Sequence, residues 1–150
     1  LDHSVLQRVY DERLIFNPGA EKMLKQVKIA GIKTMLISGG FTFFTDKLKD
    51  RLGLDYAFAN TLEIVNGRLT GRLVGEVFGA KGKGQVLNKI CNELGFRREN
   101  LIAIGDGAND LPMFAEAAVS IAYHAKPIVQ ENATYAINHV GLDGVINIFQ

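Results

Sequence analysis

Two aspartates lie four residues apart in the segment IGDGAND, at Asp106 and Asp110. The segment follows the apolar run LIAI, which favours a buried strand, and precedes LPMFAEAA, which has the pattern of a helix. Carboxylates at a strand end are hard oxygen ligands suited to Mg²⁺. We therefore predict that Asp106 ligates a metal ion and that Asn109 and Asp110 orient metal-bound water or a substrate. An ordinary Asp-Gly turn with an Asn or Asp helix cap is the structural alternative.

A second candidate is Ser38-Gly39-Gly40, which follows the strand-like segment KTMLI, whose last three residues are apolar. A serine hydroxyl and glycine amides at a helix start can bind an anion, and the positive end of the helix dipole adds to the attraction. The alternatives are an ordinary cap with a tight turn, or a serine nucleophile. A nucleophile would need a nearby base, and the three histidines are scattered along the sequence at His3, His124 and His139.

Two lysines form the third candidate, since AKGKGQVL places Lys81 and Lys83 at the start of a predicted helix. Cations there oppose the helix dipole, a cost that a bound anion would offset. Solvated surface lysines are the alternative. Together the three candidates would supply a metal ligand, an anion cradle and a cation. These are the groups that phosphoryl transfer uses, because most of the catalysis of that reaction comes from positioning the substrate and neutralising its charge.

The elements that must position these residues alternate between strand and helix, which predicts an α/β fold with a mainly parallel sheet flanked by helices. Right-handed crossovers would bring both loops to the same sheet edge, beyond the carboxyl ends of the strands. Asn66-Gly67 between two strand-like runs predicts a β-hairpin. For the helix in NPGAEKMLKQVKIAG we expect Asn17 as the cap, Pro18 at the first position and Gly31 at the end.

The overall composition narrows the classes of function. The chain has 150 residues, is 47% hydrophobic and carries a formal net charge of +1, so no strong field would attract nucleic acid or an anionic membrane surface. No apolar run approaches the roughly 20 residues of a membrane span, and no signal-peptide pattern opens the chain. The single cysteine, Cys91, fits a reducing compartment. We expect a cytoplasmic protein that binds neither nucleic acid nor a membrane.

The motifs in this order, LISGGF, a lysine at a helix start and IGDGAND, resemble the haloacid dehalogenase superfamily of phosphatases. Within that superfamily, segments along essentially the whole chain are similar to the phosphoserine phosphatase family: NPGAEKML, SGGFTFFTDKL, LGLDYAFANTLEI, GRLTGRLVG, GDGANDLPM and AYHAKP. The resemblance implies a Rossmann-like three-layer core. It also implies Mg²⁺-dependent hydrolysis of L-phosphoserine to serine and phosphate, the last step of serine biosynthesis.

The resemblance also implies roles for individual residues. Ser38 and Gly39 would bind the phosphoryl group. Lys83 would neutralise charge on the phosphate and on an aspartyl nucleophile; it is preferred to Lys81 because KGQVL matches the family's wording. Finally, Asp106 would ligate Mg²⁺, Asn109 would contact the substrate, and Asp110 would hold metal-bound water or the lysine.

One motif of the family, an N-terminal DxDxT, is absent from this sequence. In the family its first aspartate is the nucleophile and its second the general acid and base, so we expect both to lie outside this chain. Residues 1–16 would be the end of the family's helical cap region, and 17–150 a core that lacks its first strand. Because that strand is central in the family's sheet, its neighbours would have unpaired edges.

This expectation leaves the 150 residues inactive alone, with weak Mg²⁺ binding and either an upstream segment or a homo-oligomeric partner completing the site. Two other functions stay open. One is a phosphatase of the same superfamily that acts on another small phosphomonoester, since the residues that select the amino acid would lie in the missing part of the cap region. The other is a non-catalytic module that binds Mg²⁺ or phosphate.

Overall fold

The computed structural model describes residues 1–75 and 82–149. Helices and strands alternate along them, as the sequence predicts. The helices are α1 (Ser4–Arg13), α2 (Ala20–Ile29), α3 (Thr42–Leu52), α4 (Gly82–Leu94), α5 (Leu111–Ala115), α6 (Pro127–Glu131) and α7 (Gly144–Ile148). The strands are β1 (Met35–Phe41), β2 (Tyr56–Val65), β3 (Arg68–Val74), β4 (Ile102–Gly105), β5 (Val119–Tyr123) and β6 (Tyr135–Ile137). None of the described helices is long and apolar enough to cross a membrane.

The described chain divides into two compact units. The first comprises the described residues of Leu1–Phe16 and Val27–Phe78, and the second those of Asn17–Gln26 and Gly79–Gln150. Each unit contains one three-stranded sheet, with the strand order β1-β2-β3 in the first and β4-β5-β6 in the second. The predicted division at residue 16, between the end of a cap region and a core, stays a prediction.

In the first unit, β1 pairs with β2 in parallel and β2 pairs with β3 antiparallel. The predicted hairpin turn is confirmed, because Asn66 and Gly67 have φ angles of 51° and 74°, the left-handed values that a tight two-residue turn requires. Gly53 ends α3 with a φ of 65°, and its N–H donates to the Lys49 carbonyl. A helix therefore follows β1, as the sequence predicts, and this glycine marks its end.

In the second unit, β4, β5 and β6 are all parallel. The middle strand is the most deeply buried of the three, with Ile121 and Ala122 fully buried. Leu87 and Cys91 on α4 and Phe114 on α5 are also buried. Such burial on both faces of a parallel strand is typical of a sheet covered by helices.

Two features differ from the sequence-based prediction. The expected single sheet is present as two three-stranded sheets within the described residues, and β1 and β4 are edge strands of those sheets. The expectation that an absent strand leaves unpaired edges on its neighbours stays a prediction.

The second difference is the start of α2, where the predicted cap at Asn17 and first helical position at Pro18 are wrong. The helix begins at Ala20. Gly19 has a φ of 79°, outside the helical range, and the Pro18 carbonyl accepts a bond of 2.7 Å from the Leu142 N–H. The predicted end is confirmed, since Gly31 follows the helix with a φ of 77°.

Candidate active site

The acidic loop joins β4 to α5 and is organised around one buried carboxylate. Asp110 is 3% exposed and ends a short 3₁₀ helix, Ala108–Asp110. Its Oδ2 accepts hydrogen bonds from the Asp106 N–H at 3.0 Å and the Gly107 N–H at 3.2 Å. The side chain therefore ties the end of the loop back to its start and holds Asp106 in place through its backbone.

The second oxygen of this carboxylate meets the lysine that the sequence indicated. Lys83, in the first turn of α4, places Nζ 2.7 Å from Asp110 Oδ1, and the two side chains are 17% and 4% exposed respectively. Of the two expectations for Asp110, a metal-bound water or the lysine, the structure shows the lysine contact. The other lysine considered, Lys81, lies outside the described residues.

Two glycines make this arrangement sterically possible. A Cβ on Gly105 would collide with the Asp110 carboxyl group, and a Cβ on Gly84 would lie 2.8 Å from the Pro112 carbonyl oxygen. The glycine after β4 thus leaves room for the buried aspartate, and the glycine beside Lys83 lets α4 approach α5 closely. Larger residues at either position would move the lysine and the carboxylate apart.

Asp106 contrasts with Asp110. Its side chain is exposed, and within residues 1–75 and 82–149 no hydrogen bond or ion pair engages its carboxylate. Asn109 is also exposed. No cluster of three or more His, Cys, Asp or Glu side chains able to hold a metal occurs in the described part of the chain. One free carboxylate at a strand end still fits Mg²⁺, which is bound through one or two carboxylates together with water and substrate phosphate.

The Ser38-Gly39-Gly40 segment is not a loop after β1, as predicted, but an irregular stretch within that strand, which continues to Phe41. The pairing with β2 shifts register between Ile37 and Phe41. A bulge of this kind suits a site because it turns backbone groups away from the ladder. The Ser38 Oγ accepts a 3.0 Å hydrogen bond from the Gly40 N–H, and space around Gly39 is open.

Sequence reasoning missed Asn60, a residue on β2 that is only 5% exposed. Its Nδ2 donates to the Gly39 carbonyl at 3.1 Å. The available signal was a single amide inside the strand-like run YAFANTLEI, because a buried amide needs hydrogen-bond partners.

Two of the three histidines lie against backbone carbonyl groups. His3 Nδ1 lies 2.8 Å from the Gly67 carbonyl, and His124 Nε2 lies 2.8 Å from the Val140 carbonyl. The third, His139, is exposed. Within the described residues of its own unit, the Ser38 hydroxyl contacts the Gly40 N–H and no histidine. The expected shared edge of Ser38 and Asp106 stays a prediction, since the two residues belong to different units.

Comparison with known families shows to which protein family the chain belongs. The family model of haloacid dehalogenase-like hydrolases matches residues 1–115, and the chain belongs to this family. Among curated relatives, the chain is 48% identical over 147 residues to a phosphoserine phosphatase of Polaromonas sp. (strain JS666), covering 95% of this chain and 62% of that protein. It is 41% identical over 148 residues to a phosphoserine phosphatase of Streptococcus thermophilus, covering 99% of this chain and 68% of that protein.

Solved structures agree with this relationship. A probable phosphoserine phosphatase from Vibrio cholerae superposes with a TM-score of 0.91 at 43% identity, over 98% of this chain and 45% of that one. A phosphoserine phosphatase solved as a phospho-aspartyl intermediate analogue gives a TM-score of 0.90 at 39% identity, over 99% and 70% of the two chains. These matches confirm the predicted Rossmann-like α/β fold. The chain spans less than two thirds of the first two curated relatives, 62% and 63% of their lengths.

Proposed function

We propose that this chain is the phosphate- and metal-binding part of a phosphoserine phosphatase. The complete protein would hydrolyse L-phosphoserine to L-serine and phosphate in the cytoplasm, as the last step of serine biosynthesis. Support comes from relatives of that name at 41–48% identity, and from a neighbour at 39% identity that was solved as a substrate-bound phosphoserine phosphatase.

The observation that carries the proposal is the difference in burial and pairing between the two aspartates. Asp110 is buried and paired with Lys83, whereas Asp106 is exposed and unpaired within the described residues. A loop needed only for turn formation would not require a buried ion pair to hold it. Asp106 is therefore the residue that would hold Mg²⁺, which when bound supplies positive charge for the phosphoryl oxygens.

Lys83 is the cation that we assign to the substrate phosphate. An ammonium group has three donor hydrogens, and the bond to Asp110 at 2.7 Å uses one of them. Within the described residues Nζ has no further partner, so the other two hydrogens would serve a phosphoryl oxygen or a nucleophile's carboxylate. Because Asp110 fixes the position of Nζ, little side-chain entropy is lost when the anion binds.

In the proposed reaction, an aspartate outside this chain attacks phosphorus, and the bond to the serine oxygen breaks. That oxygen takes a proton from the general acid, which would also lie outside this chain, giving L-serine and an aspartyl-phosphate; the same group then takes a proton from the water that attacks next. Water then attacks the same phosphorus, releases phosphate and regenerates the carboxylate. Ser38 and Gly39 would bind the transferring phosphoryl group, and Asn109 would contact the substrate. These groups act by positioning and by charge stabilisation.

The substrate is tested with the complete gene product and a panel of small phosphomonoesters. Phosphate release is measured for L-phosphoserine, L-phosphothreonine and glycerol 3-phosphate at equal concentrations with Mg²⁺. We expect kcat/KM for L-phosphoserine to exceed the others by at least about tenfold, since a lost polar contact or an added methyl group usually costs that much. A preference for another phosphomonoester would overturn the substrate assignment, and Mg²⁺ binding without turnover would favour a non-catalytic module.

A further inference from the structure

We infer that Asn60 is a positioning residue that orients the Gly39–Gly40 peptide so that the Ser38 hydroxyl is free to donate to a phosphoryl oxygen. This inference rests on the proposed function, because it concerns the segment that would bind the substrate phosphate. Asn60 and the Ser38 segment lie in the same compact unit.

The need for such a residue follows from the pairing of β1 with β2. Ile37 pairs with Phe58, and the next recorded pair is Phe41 with Asn60. Between these pairs β1 advances four residues and β2 advances two, so β1 holds two extra residues. Extra residues in a bulge lose their ladder hydrogen bonds, and a backbone carbonyl without a partner is costly in a partly buried position.

Asn60 replaces the missing ladder bond with its side chain. Its Nδ2 donates to the Gly39 carbonyl oxygen at 3.1 Å. Asn60 is also the residue at which the ladder resumes, and it is 5% exposed. Burial fixes the side chain in place, so the amide that supports the bulge is itself held firmly.

This bond sets the direction of the whole Gly39–Gly40 peptide. In a planar trans peptide the carbonyl and the N–H point to opposite sides, so a carbonyl directed at Asn60 directs the Gly40 N–H away from it. That N–H donates to Ser38 Oγ at 3.0 Å. A hydroxyl that accepts one bond still has its own hydrogen to donate. The Ser38 hydroxyl is thereby left as a donor, which suits an anion.

Without the Asn60 donor, this peptide would lose one of the two hydrogen bonds described for it. Both flanking residues are glycines, which populate positive and negative φ with similar ease. A rotated peptide would direct the Gly39 carbonyl oxygen towards the Ser38 hydroxyl, which would then donate to that oxygen instead of to phosphate. Asn60 is therefore expected to act on phosphate binding through Ser38.

The test uses the complete gene product with Asn60→Leu and Asn60→Asp, each alone and combined with Ser38→Ala. Asn60→Leu removes the donor without adding charge, and Asn60→Asp replaces the donor with an acceptor. The matched control is Asn132→Asp, because Asn132 also donates its Nδ2 to a backbone carbonyl, that of Ile128 at 2.8 Å. Inorganic phosphate binding is measured by calorimetry, KM and kcat with L-phosphoserine, and folding by circular dichroism and thermal melting.

We expect phosphate to bind about three- to tenfold more weakly to Asn60→Leu, the range of one neutral hydrogen bond, and more weakly still to Asn60→Asp. KM should rise more than kcat falls. In the Ser38→Ala background, the change caused by Asn60→Leu should largely disappear, because coupled residues are not additive. Asn132→Asp should match the wild type.

Four results would decide against the inference. A folded Asn60→Leu variant that binds phosphate like the wild type would overturn it, as would an effect of equal size with and without Ser38. If the Asn60 variants do not fold, a Ser38→Ala variant that binds phosphate normally would overturn it instead. A wild-type protein that neither binds phosphate nor hydrolyses L-phosphoserine would overturn the proposed function and the inference together.

Discussion

At the scale of single residues, the site depends on how one buried charge is neutralised. Asp110 receives two backbone N–H donors and the Lys83 ammonium group. Taking one partner from such a pair leaves an uncompensated charge, which is strongly destabilising. The same contact therefore has two consequences, since it holds the loop together and fixes the cation that we assign to the phosphate.

Replacing this lysine should affect both stability and activity. We expect Lys83→Ala to lower the free energy of unfolding by about 3 kcal/mol, the lower end for a broken buried pair, and to remove most phosphatase activity. Lys22→Ala is the matched control, because Lys22 lies 3.5 Å from Asp143 and its side chain is exposed, while that of Asp143 is partly exposed. Its effect should stay under about 1 kcal/mol. Chemical denaturation of the complete gene product measures the free energy of unfolding of both variants, and phosphate release from L-phosphoserine measures their activity.

The choice between the two neighbouring lysines is tested in the same series. Lys83→Ala should reduce kcat/KM for L-phosphoserine far more than Lys81→Ala does. The reverse order would transfer the proposed phosphate contact to Lys81 and leave Lys83 as a structural partner of Asp110.

At the scale of elements, the structure shows which local signals in the sequence were sufficient. Asn66-Gly67 required a hairpin because few other pairs adopt two left-handed residues easily. The predicted start of α2 was wrong because a local sequence pattern does not reveal the tertiary hydrogen bond from the Leu142 N–H to the Pro18 carbonyl. Ser38-Gly39-Gly40 was expected after β1, whereas the strand continues past it, since a register shift depends on the partner strand.

The acidic loop also depends on a contact that a local sequence pattern does not reveal. Its position after a strand was predicted from LIAI followed by Asp and Gly residues, but the Lys83–Asp110 contact joins residues 27 positions apart. The motif order suggested the partnership only through family resemblance. Asn60 was missed because its role depends on a bulge in the neighbouring strand.

The loop between β4 and α5 gives a prediction about steric fit. Gly105→Ala should disturb the Asp110 carboxyl group and cost about 1–3 kcal/mol, the range for overpacking. Gly107→Ala, in the same loop, is the control. Its Cβ would meet only Asn109 Oδ1 at 2.7 Å, and this exposed side chain can rotate away. Equal melting temperatures for the two variants would contradict the account of the loop.

The starts of β1 and β2 are joined by Asp55, and this junction predicts a pH dependence. The Thr34 N–H donates to Asp55 Oδ2 at 2.8 Å. This bond holds the pKa of Asp55 below its ordinary value of 3.8, with a smaller contribution from Lys33. A carboxyl group with a lowered folded pKa stabilises the protein above its unfolded pKa, and this stability is lost as pH falls through the folded pKa.

Asp55→Asn should therefore be less stable than the wild type at pH 7, and the difference should shrink as the pH falls below about 4. Thr34→Val keeps the backbone N–H, so it should retain most of the wild-type pH dependence. Urea unfolding from pH 7 to pH 3 measures all three proteins. A difference between Asp55→Asn and the wild type that does not change with pH would show that the carboxylate charge is not responsible.

At the scale of the whole molecule, the proposed phosphatase function rests on the family of the chain and on the acidic loop that would bind the metal. Membership of the haloacid dehalogenase-like hydrolases follows from the match over residues 1–115. The fold class was predictable from alternating elements, and the structures of phosphoserine phosphatases confirm it. The catalytic nucleophile could not be identified, because no DxDxT motif occurs in the sequence. Activity is therefore proposed for the complete gene product.

The most direct test is the rate of phosphate release from L-phosphoserine as a function of Mg²⁺ concentration, for the complete gene product and its Asp106→Asn variant. Asp11→Asn, which changes an exposed carboxylate on α1, serves as the control. The account predicts Mg²⁺-dependent turnover in the wild type and in the control. In Asp106→Asn it predicts the loss of most turnover, with a Mg²⁺ requirement raised at least about tenfold, as expected when coordination is disturbed. Unchanged turnover and Mg²⁺ dependence in Asp106→Asn would contradict the assignment of this loop as the metal site.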